Sequence, residues 1–567
     1  MDNLQKGVHE NFKQLEMKGR SLEALGQYAI AVGGDDFATY FNLAMNCVID
    51  IMQTYVDAEP SILEFAFVFV ANIAKAMEKH GKFKRYLSIL IPRLQKSVVE
   101  SFSERIQIAA LTALGSLANY TQGLFIAYLD STLDVLGEAV SSANPEVQGK
   151  ALRNLYTFVI VAGSSDGLSN PAGKKGEVLT IHGRVSITLH RVMEWLWTVI
   201  SKGTNFVPVT CALEALKDLV GYIGIVAMTV RDITTFHTYG DLLKDKIFEY
   251  LDGKAPCQLS LVTQNDDEGE DDHHDKHVLP SVCEVIECLA KASGNDYLET
   301  FELYIPLLLK FTEDSRFFSD SSMVIGSFAN VICEIGAAAV KHVGLILPVL
   351  QRDCHHDAVT ENRRNACYCL AVIVDSLPVD ILEQLIPRFL EWMLPLAIRS
   401  STNDSTSDKG DADVDNAVAA ISRIIRKCPE HERVSELLPV VLLALPLTSD
   451  FEESVTVYNM LIVLVMSIQP TTSHAVKSYL GDILKVFGQA LSDESPYPES
   501  TGVKKSVTIC LQSLSSSTCE GNLNVHSALD SLSLLPENAD VVKLIKGVFL
   551  PNIDHRAMVL NDDDKEK

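Results

Sequence analysis

No CxxC pair occurs among the twelve cysteines, which are scattered along 567 residues. That excludes the paired thiolates of a zinc ribbon or a thioredoxin-like redox site, and unpaired cysteines read most simply as a reducing, intracellular setting. Long hydrophobic runs are also missing. Runs such as 438–447 and 461–466 fall well short of the roughly 18 apolar residues that cross a bilayer, and no apolar stretch follows Met1. A soluble chain without membrane insertion is the expectation. Basic charge is scarce as well, since 48 Lys and Arg stand against 74 Asp and Glu, a net charge of −26. This argues against nucleic acid as a direct partner and for a basic one, met in an encounter that salt weakens.

Motifs for chemistry are equally sparse. The segment 167–175 has the look of a phosphate loop, but five residues separate Gly167 from Gly173, Lys175 stands where Ser or Thr would hold magnesium, and no buried strand precedes it. His273, His274 and His277 form one metal-like cluster, and Cys354, His355 and His356 another. Both sit in predicted turns without spaced cysteines, and they read as polar clusters rather than metal sites. No Ser/His/Asp or paired-carboxylate arrangement stands out. The sequence predicts no enzyme, no cofactor and no metal.

What is present is a repeat. A branched aliphatic or Leu, then Pro, any residue and a hydrophobic residue recur at Ile91-Pro92-Arg93-Leu94, Ile305-Pro306-Leu307-Leu308, Leu347-Pro348-Val349-Leu350, Ile386-Pro387-Arg388-Phe389 and Leu438-Pro439-Val440-Val441. From Pro306 onward the prolines lie 42, 39 and 52 residues apart, the last interval widened by a Ser/Thr/Asp insert at 400–415. The phase continues without proline: Tyr40-Phe41, Tyr128-Leu129 and Tyr479-Leu480 put Asn46, Asp134 and Lys485 in the same slot.

A period near forty, with apolar residues at helical spacing, predicts paired helices stacked as an all-α solenoid. The fold expected is a right-handed superhelix of HEAT repeats. Small residues, as in Thr112-Ala113-Leu114-Gly115, are expected to let helices approach within a pair. The repeated prolines are expected to open or kink the first helix of each unit, and Asn144-Pro145-Glu146-Val147 reads as a cap and helix start. Trp195, Trp197 and Trp392 read as core, and the basic stretch 79–85 as a solvated turn.

Three segments interrupt the pattern: the Gly/Ser/Pro-rich 163–176, the acidic run at 264–277, and the insert at 400–415. The expected organisation is one helical array over 1–260, an acidic loop over 261–277, a second array over 278–552 and a charged tail over 553–567. The acidic loop carries Asp266, Asp267, Glu268, Glu270, Asp271, Asp272 and Asp275. So dense a run repels itself and stays extended, either ready to wrap a lysine-rich segment or simply solvated.

From Val278 onward several phrases occur in order. They are Ser327-Phe328-Ala329 with Ile335-Gly336, Arg364-Asn365-Ala366 with Leu370-Ala371-Val372, and Asp415-Asn416-Ala417 with Ala420-Ile421-Ser422-Arg423. Most specific is Leu445-Pro446-Leu447 with Asp450, Glu452-Glu453 and Val455-Thr456-Val457. On these the chain resembles the importin-β (karyopherin-β) family, in its importin-4 and importin-5-like branch, and in particular the C-terminal half of such carriers. The acidic run also sits where that branch carries an acidic stretch.

The resemblance implies a monomeric nuclear transport receptor of cytoplasm, nucleus and pore. It would hold basic cargo such as core histones or ribosomal proteins on a concave surface lined by second helices, and meet nucleoporin Phe-Gly repeats on its first helices. Ran-GTP is the family's release partner, and the arch that makes its principal contact is expected to be absent from this chain. Cargo contacts are expected from Asn365 and Asn416, whose amides would clamp a peptide backbone or else cap helices. Asp415, Asp450, Glu452 and Glu453 would receive Lys and Arg, or else be solvated helix ends. Each such surface pair contributes ~0.2–1 kcal/mol, so affinity needs many. The alternatives are a HEAT scaffold outside transport and a non-shuttling histone chaperone.

Overall fold

The computed structural model describes residues 2–54, 60–78, 81–166, 181–262, 277–399, 412–466, 470–515 and 524–549. The acidic run from Asp266 to Asp275, with His273 and His274, lies outside them, as do segment 167–175, most of the 400–415 insert and the tail. All regular structure in the described residues is helical, and the isolated bridge between Arg231 and Thr238 closes a turn.

The chain forms two compact units, Met1–Lys310 and Phe311–Lys567. The first holds α1 (Asp2–Phe37), α2 (Phe41–Thr54), α3 (Pro60–Ala76), α4 (Leu87–Glu100), α5 (Glu104–Thr121), α6 (Leu129–Val140), α7 (Pro145–Ser165), α8 (Gly183–Lys202), α9 (Phe206–Ile223), α10 (Val226–Thr229), α11 (Tyr239–Leu251), α12 (Pro256–Val262), α13 (Leu279–Ser293) and α14 (Leu298–Lys310). The second holds α15 (Phe318–Ile335), α16 (Val340–Asp353), α17 (Thr360–Ser376), α18 (Val379–Arg399), α19 (Ala412–Lys427), α20 (Val434–Leu443), α21 (Ser454–Met466), α22 (Pro470–Leu491), α23 (Val503–Ser515), α24 (Val525–Leu532) and α25 (Ala539–Phe549).

Each unit is a two-layer stack. In the first, α1, α3, α5, α7, α9 and α13 pack one on the next; in the second, α15, α17, α19, α21, α23 and α25 do so. These are the second helices of the repeats, and the first helices, such as α4, α6, α16 and α18, lie against them. Because α9 packs directly on α13, the second-helix layer continues across the acidic segment rather than ending at it. This is the HEAT-repeat solenoid expected from the period.

Local sequence explains the element ends. Asn144 Oδ1 accepts the backbone N–H groups of Glu146 (2.9 Å) and Val147 (3.1 Å), with Pro145 opening α7, as the sequence predicts. The apolar span Phe318–Asp353, half of whose most apolar window is buried, is two helices that part at Gly336, where φ is +67°. The recurring prolines, however, do not open their helices. Pro92, Pro306, Pro348, Pro387 and Pro439 lie inside α4, α14, α16, α18 and α20. The first four face solvent, where water can satisfy the carbonyl that each proline leaves without a donor.

Small residues act across repeats rather than within a pair. A Cβ on Gly115 of α5 would sit 2.7 Å from Asn154 Oδ1 of α7, and one on Gly326 of α15 would meet Asn365 Nδ2 of α17 at 3.6 Å. In both places the Asn amide donates to the carbonyl four residues before that glycine: Asn154 to Leu111 O (2.7 Å) and Asn365 to Ser322 O (2.9 Å). A Cβ on Gly149 of α7 would likewise sit 2.9 Å from Cys211 Sγ of α9. Elsewhere Gly137 of α6 makes room for the Trp195 indole. Trp392 is buried, while Trp195 and Trp197 are half-buried. In the basic turn, Phe83 is buried and Lys82 Nζ donates to Ala38 O at 2.7 Å.

Two glycine substitutions should therefore have opposite signs. Gly115→Ala is expected to lower stability by about 1–2 kcal/mol, overpacking outweighing the better helix propensity. Gly344→Ala in α16, where a Cβ meets nothing within 4 Å, is expected to raise it by about 0.5–1 kcal/mol. Urea midpoints followed by circular dichroism check both, and equal stabilisation by the two would show that the α5–α7 approach is not close-packed.

Candidate functional site

Helices α15, α17, α19 and α21 bring their N-terminal ends into a row, and most residues expected to contact cargo lie along it. Asn365 is the sixth residue of α17, and Val359 occupies the N-cap. Asn416 is the fifth residue of α19. Neither caps its helix, which corrects that expectation. Asn365 gives its amide N–H groups to Ser322 O (2.9 Å) and Ser322 Oγ (2.8 Å) on α15. Asn416, 2% exposed, gives its own to Ala412 O (2.8 Å) and Asp450 Oδ2 (3.0 Å). An extended peptide would have to displace these bonds to be clamped.

The carboxylates divide into two pairs. Asp415 is 3% exposed, and its Oδ2 accepts the backbone N–H groups of Thr448 (3.1 Å), Ser449 (2.8 Å) and Asp450 (2.8 Å). It fixes the turn that leads into α21. Burial raises its pKa above the usual carboxylate value and the nearby Asp450 adds to the rise, while the three backbone donors pull it down. Glu453 is buried in a two-pronged pair with Arg423 (2.8 and 3.2 Å), whose Nε also donates to Asp375 (3.0 Å). Asp450 is part-exposed, with Arg364 at 3.3 Å. Glu452 is exposed, and no side chain among the described residues pairs with it. Asp415 and Glu453 are thus committed to the stack, while Asp450 and Glu452 stand at its open edge.

Sequence reasoning did not single out the basic members of this network. Arg363 Nε donates to the buried Asp413 at 2.6 Å, joining α17 to α19. Removing one partner of such a buried pair costs about 3–5 kcal/mol. The available signal was their position: Arg363 and Arg364 immediately precede Asn365. The Cys354 cluster also divides. Cys354 is buried with its Sγ 4.0 Å from Cys367 Sγ, whereas His355, His356 and Asp357 gather at the surface.

The raised pKa of Asp415 fixes the sign of its pH dependence. Its favourable contribution is present below the unfolded carboxylate value and is lost as pH rises through the folded one. Asp415→Ala, which strips three acceptor contacts, is expected to cost about 2–4 kcal/mol. Asp415→Asn, which keeps an acceptor without the buried charge, should be tolerated near pH 7 and lose ground to the native chain as pH falls toward the carboxylate range. Urea midpoints measured across that range test this, and an Asn variant that gains relative stability on acidification would contradict it.

No family model matches the chain. It is 24% identical over 422 residues to importin-4 of Mus musculus, which covers 74% of this chain and 36% of that protein. It is 23% identical over 551 residues to the probable importin subunit beta-4 of Schizosaccharomyces pombe, covering 84% and 47% respectively. Among solved structures, the karyopherin Kap121p bound to the SUMO protease Ulp1p superposes with a TM-score of 0.64 at 16% identity, over 97% of this chain and 50% of that one. Kap121p bound to RanGTP gives 0.61 at 14% identity, over 95% and 49%. The chain therefore spans about half the length of these relatives or less. In sequence the chain is similar to importin-4, and in fold to the karyopherin solenoid, along the part of those relatives that it spans.

Proposed function

We propose that this chain is a nuclear transport receptor for basic protein cargo, passing between cytoplasm and nucleus. The observation that carries the reading is an importin-4-like helical stack with a net charge of −26. Its relatives are importins by name, not enzymes. Core histones and ribosomal proteins are the cargo class, held along a concave face of second helices with Asp450 and Glu452 as the accessible carboxylates. Asn365 and Asn416 take part by displacement of their bonds within the stack, and Asp415 and Glu453 hold the turn and helix on which the open pair stands. The acidic run from Asp266 to Asp275 adds a flanking tether for lysine-rich segments.

Pore contact falls to the first helices. Three residues before the recurring proline slot, Leu43, Ile89, Leu303 and Leu345 are 68%, 44%, 43% and 53% exposed. Leu43 lies on α2 and Ile89 on α4, whose N-cap residue Tyr86 donates from Oη to Asn42 Oδ1 of α2 at 3.3 Å. Exposed aliphatics repeated on neighbouring helices suit Phe rings. Phe-Gly peptides are therefore one partner to test, and Ran-GTP is another, since Kap121p has been solved bound to RanGTP.

A fluorescence-anisotropy titration with a lysine-rich histone-tail peptide is expected to show binding that weakens with salt. The doubly substituted Asp450→Lys/Glu452→Lys chain should bind at least tenfold more weakly. Phe-Gly peptide capture should fall on substitution of Leu43 and Ile89 by Asp. Capture of no Phe-Gly peptide by the native chain, with tail binding intact, would leave a non-shuttling histone chaperone, which the acidity also suits. Absence of both would leave a scaffold.

A further inference from the structure

The turn between α16 and α17 carries His355, His356 and Asp357, none of which takes part in the row of helix ends. Sequence spacing groups the two histidines with Cys354 and reads the set as polar. The structure changes its membership: Cys354 is 2% exposed beside Cys367, and Asp357 joins the histidines at the surface. One oxygen of the Asp357 carboxylate lies 3.4 Å from His355 Nδ1, and the other lies 3.0 Å from His356 Nε2. One donor atom from each of the three falls within 4.8 Å of the others. Around a tetrahedral ion with bonds of about 2.0–2.1 Å, neighbouring donors stand about 3.3–3.4 Å apart. The three side chains are 60%, 69% and 77% exposed, so a rotation of the rings closes the set without disturbing the core.

The backbone beneath these side chains is held in place. Ala358 N–H donates to His355 O (3.0 Å), and His355 N–H donates to Arg352 O (3.1 Å). Arg363 of α17 gives Nη1 to the carbonyls of His356 (3.1 Å) and Ala358, while its Nε holds Asp413 of α19. The donors are therefore presented on a turn whose shape is set before any ion arrives, which lowers the cost of ordering them. Charge also favours a cation. His355 and Asp357 border the open cavity between this turn and the α14–α15 turn, where Glu313, Asp314, Asp353 and Asp357 face two arginines. Both arginines are engaged, Arg352 with Asp353 at 2.7 Å and Arg316 over the Phe311 ring at 4.8 Å. Donor type narrows the choice of cation. Two imidazoles and a carboxylate suit a borderline ion such as zinc, whereas magnesium and calcium take oxygen ligands.

We propose that His355, His356 and Asp357 bind a divalent transition-metal ion of the zinc class, with water in the remaining positions. The ion takes the His355 Nδ1 lone pair in exchange for the weak bond accepted there from Asp357 N–H (3.4 Å), together with His356 Nε2 and a carboxylate oxygen of Asp357. His356 and Ala358 supply the carbonyls that Arg363 holds, so the ion steadies the turn beside the tie between α17 and α19. The competing role for the same atoms is a pair of exposed His–Asp ion pairs, which have no preference among metals. The inference does not depend on the receptor reading.

The test uses the full chain without a histidine tag, stripped by a chelator and dialysed to equilibrium against zinc chloride. Elemental mass spectrometry counts the bound zinc, and hydrogen exchange locates its effect. The native chain is expected to hold one zinc ion more than His355→Ala/His356→Ala, with zinc slowing amide exchange over 354–360 in the native chain alone. The exposed thiols of Cys47 and Cys333 can take zinc in both chains, so the difference between chains is read rather than the total. Asp357→Asn leaves both rings in place and should weaken this ion by about tenfold or more, since even an outer partner of a metal ligand is worth that much. Magnesium at the same concentration should give neither the additional ion nor the protection. Equal zinc content in the native chain and the double variant, or zinc-dependent protection over 354–360 that survives both variants, would overturn the inference and leave His–Asp ion pairs only.

Discussion

Close approach between successive second helices is the constraint on which the rest of the stack depends. A side-chain amide reaches the neighbouring backbone most easily where the facing helix carries a glycine, whose missing Cβ is required at Gly115 (2.7 Å) though not at Gly326 (3.6 Å). Gly115 lies opposite Asn154 and Gly326 opposite Asn365, and the Asn in each case donates into the turn just before the glycine. The backbone carbonyl there already serves its own helix, so the amide adds a second bond to it and ties one repeat to the next with little dependence on the surrounding apolar packing. The prolines of the first helices act on the other layer. Four of the five sit on the solvent side, where a missing donor is cheap, so the first helices can bend without leaving a buried polar group unpaired.

The same closeness determines which polar groups are open to a partner. Along the N-terminal ends of α17, α19 and α21, Asn416, Asp415, Asp413 and Glu453 are all buried and all bonded to an adjacent element. Of the candidate carboxylates in this row, Asp450 in part and Glu452 fully face water. A strongly acidic chain therefore does not offer every carboxylate as a contact. Some of its negative charge fixes turns and helix ends, and the exposed remainder is what the proposed basic cargo would meet.

The fold was legible because its signal is periodic. The proline slot near every forty residues, its proline-free continuations at Asn46, Asp134 and Lys485, and the cap at Asn144 all describe local events that a sequence records directly. The site was legible in location but less so in role. The phrases around Asn365, Asn416 and Glu452-Glu453 fall at the N-terminal ends of α17, α19 and α21. Burial, however, depends on residues 33 to 86 positions away, as when Arg364 meets Asp450 or Asp415 receives the 448–450 turn. The direction of small-residue packing was misjudged for the same reason, since Gly115 faces a partner in the next repeat rather than in its own. The aliphatics at Leu43 and Ile89 share the spacing of the proline slot, but their exposure is set by what surrounds them and is not written in that spacing.

The most direct measurement is hydrogen exchange, followed by mass spectrometry, of the chain with and without a lysine-rich histone-tail peptide. The account predicts slow exchange through the middle of the second helices in both states, and peptide-dependent protection over 448–457, where Asp450 and Glu452 lead into α21. Protection confined to the first helices, or none over 448–457 under conditions where the peptide is bound, would contradict it.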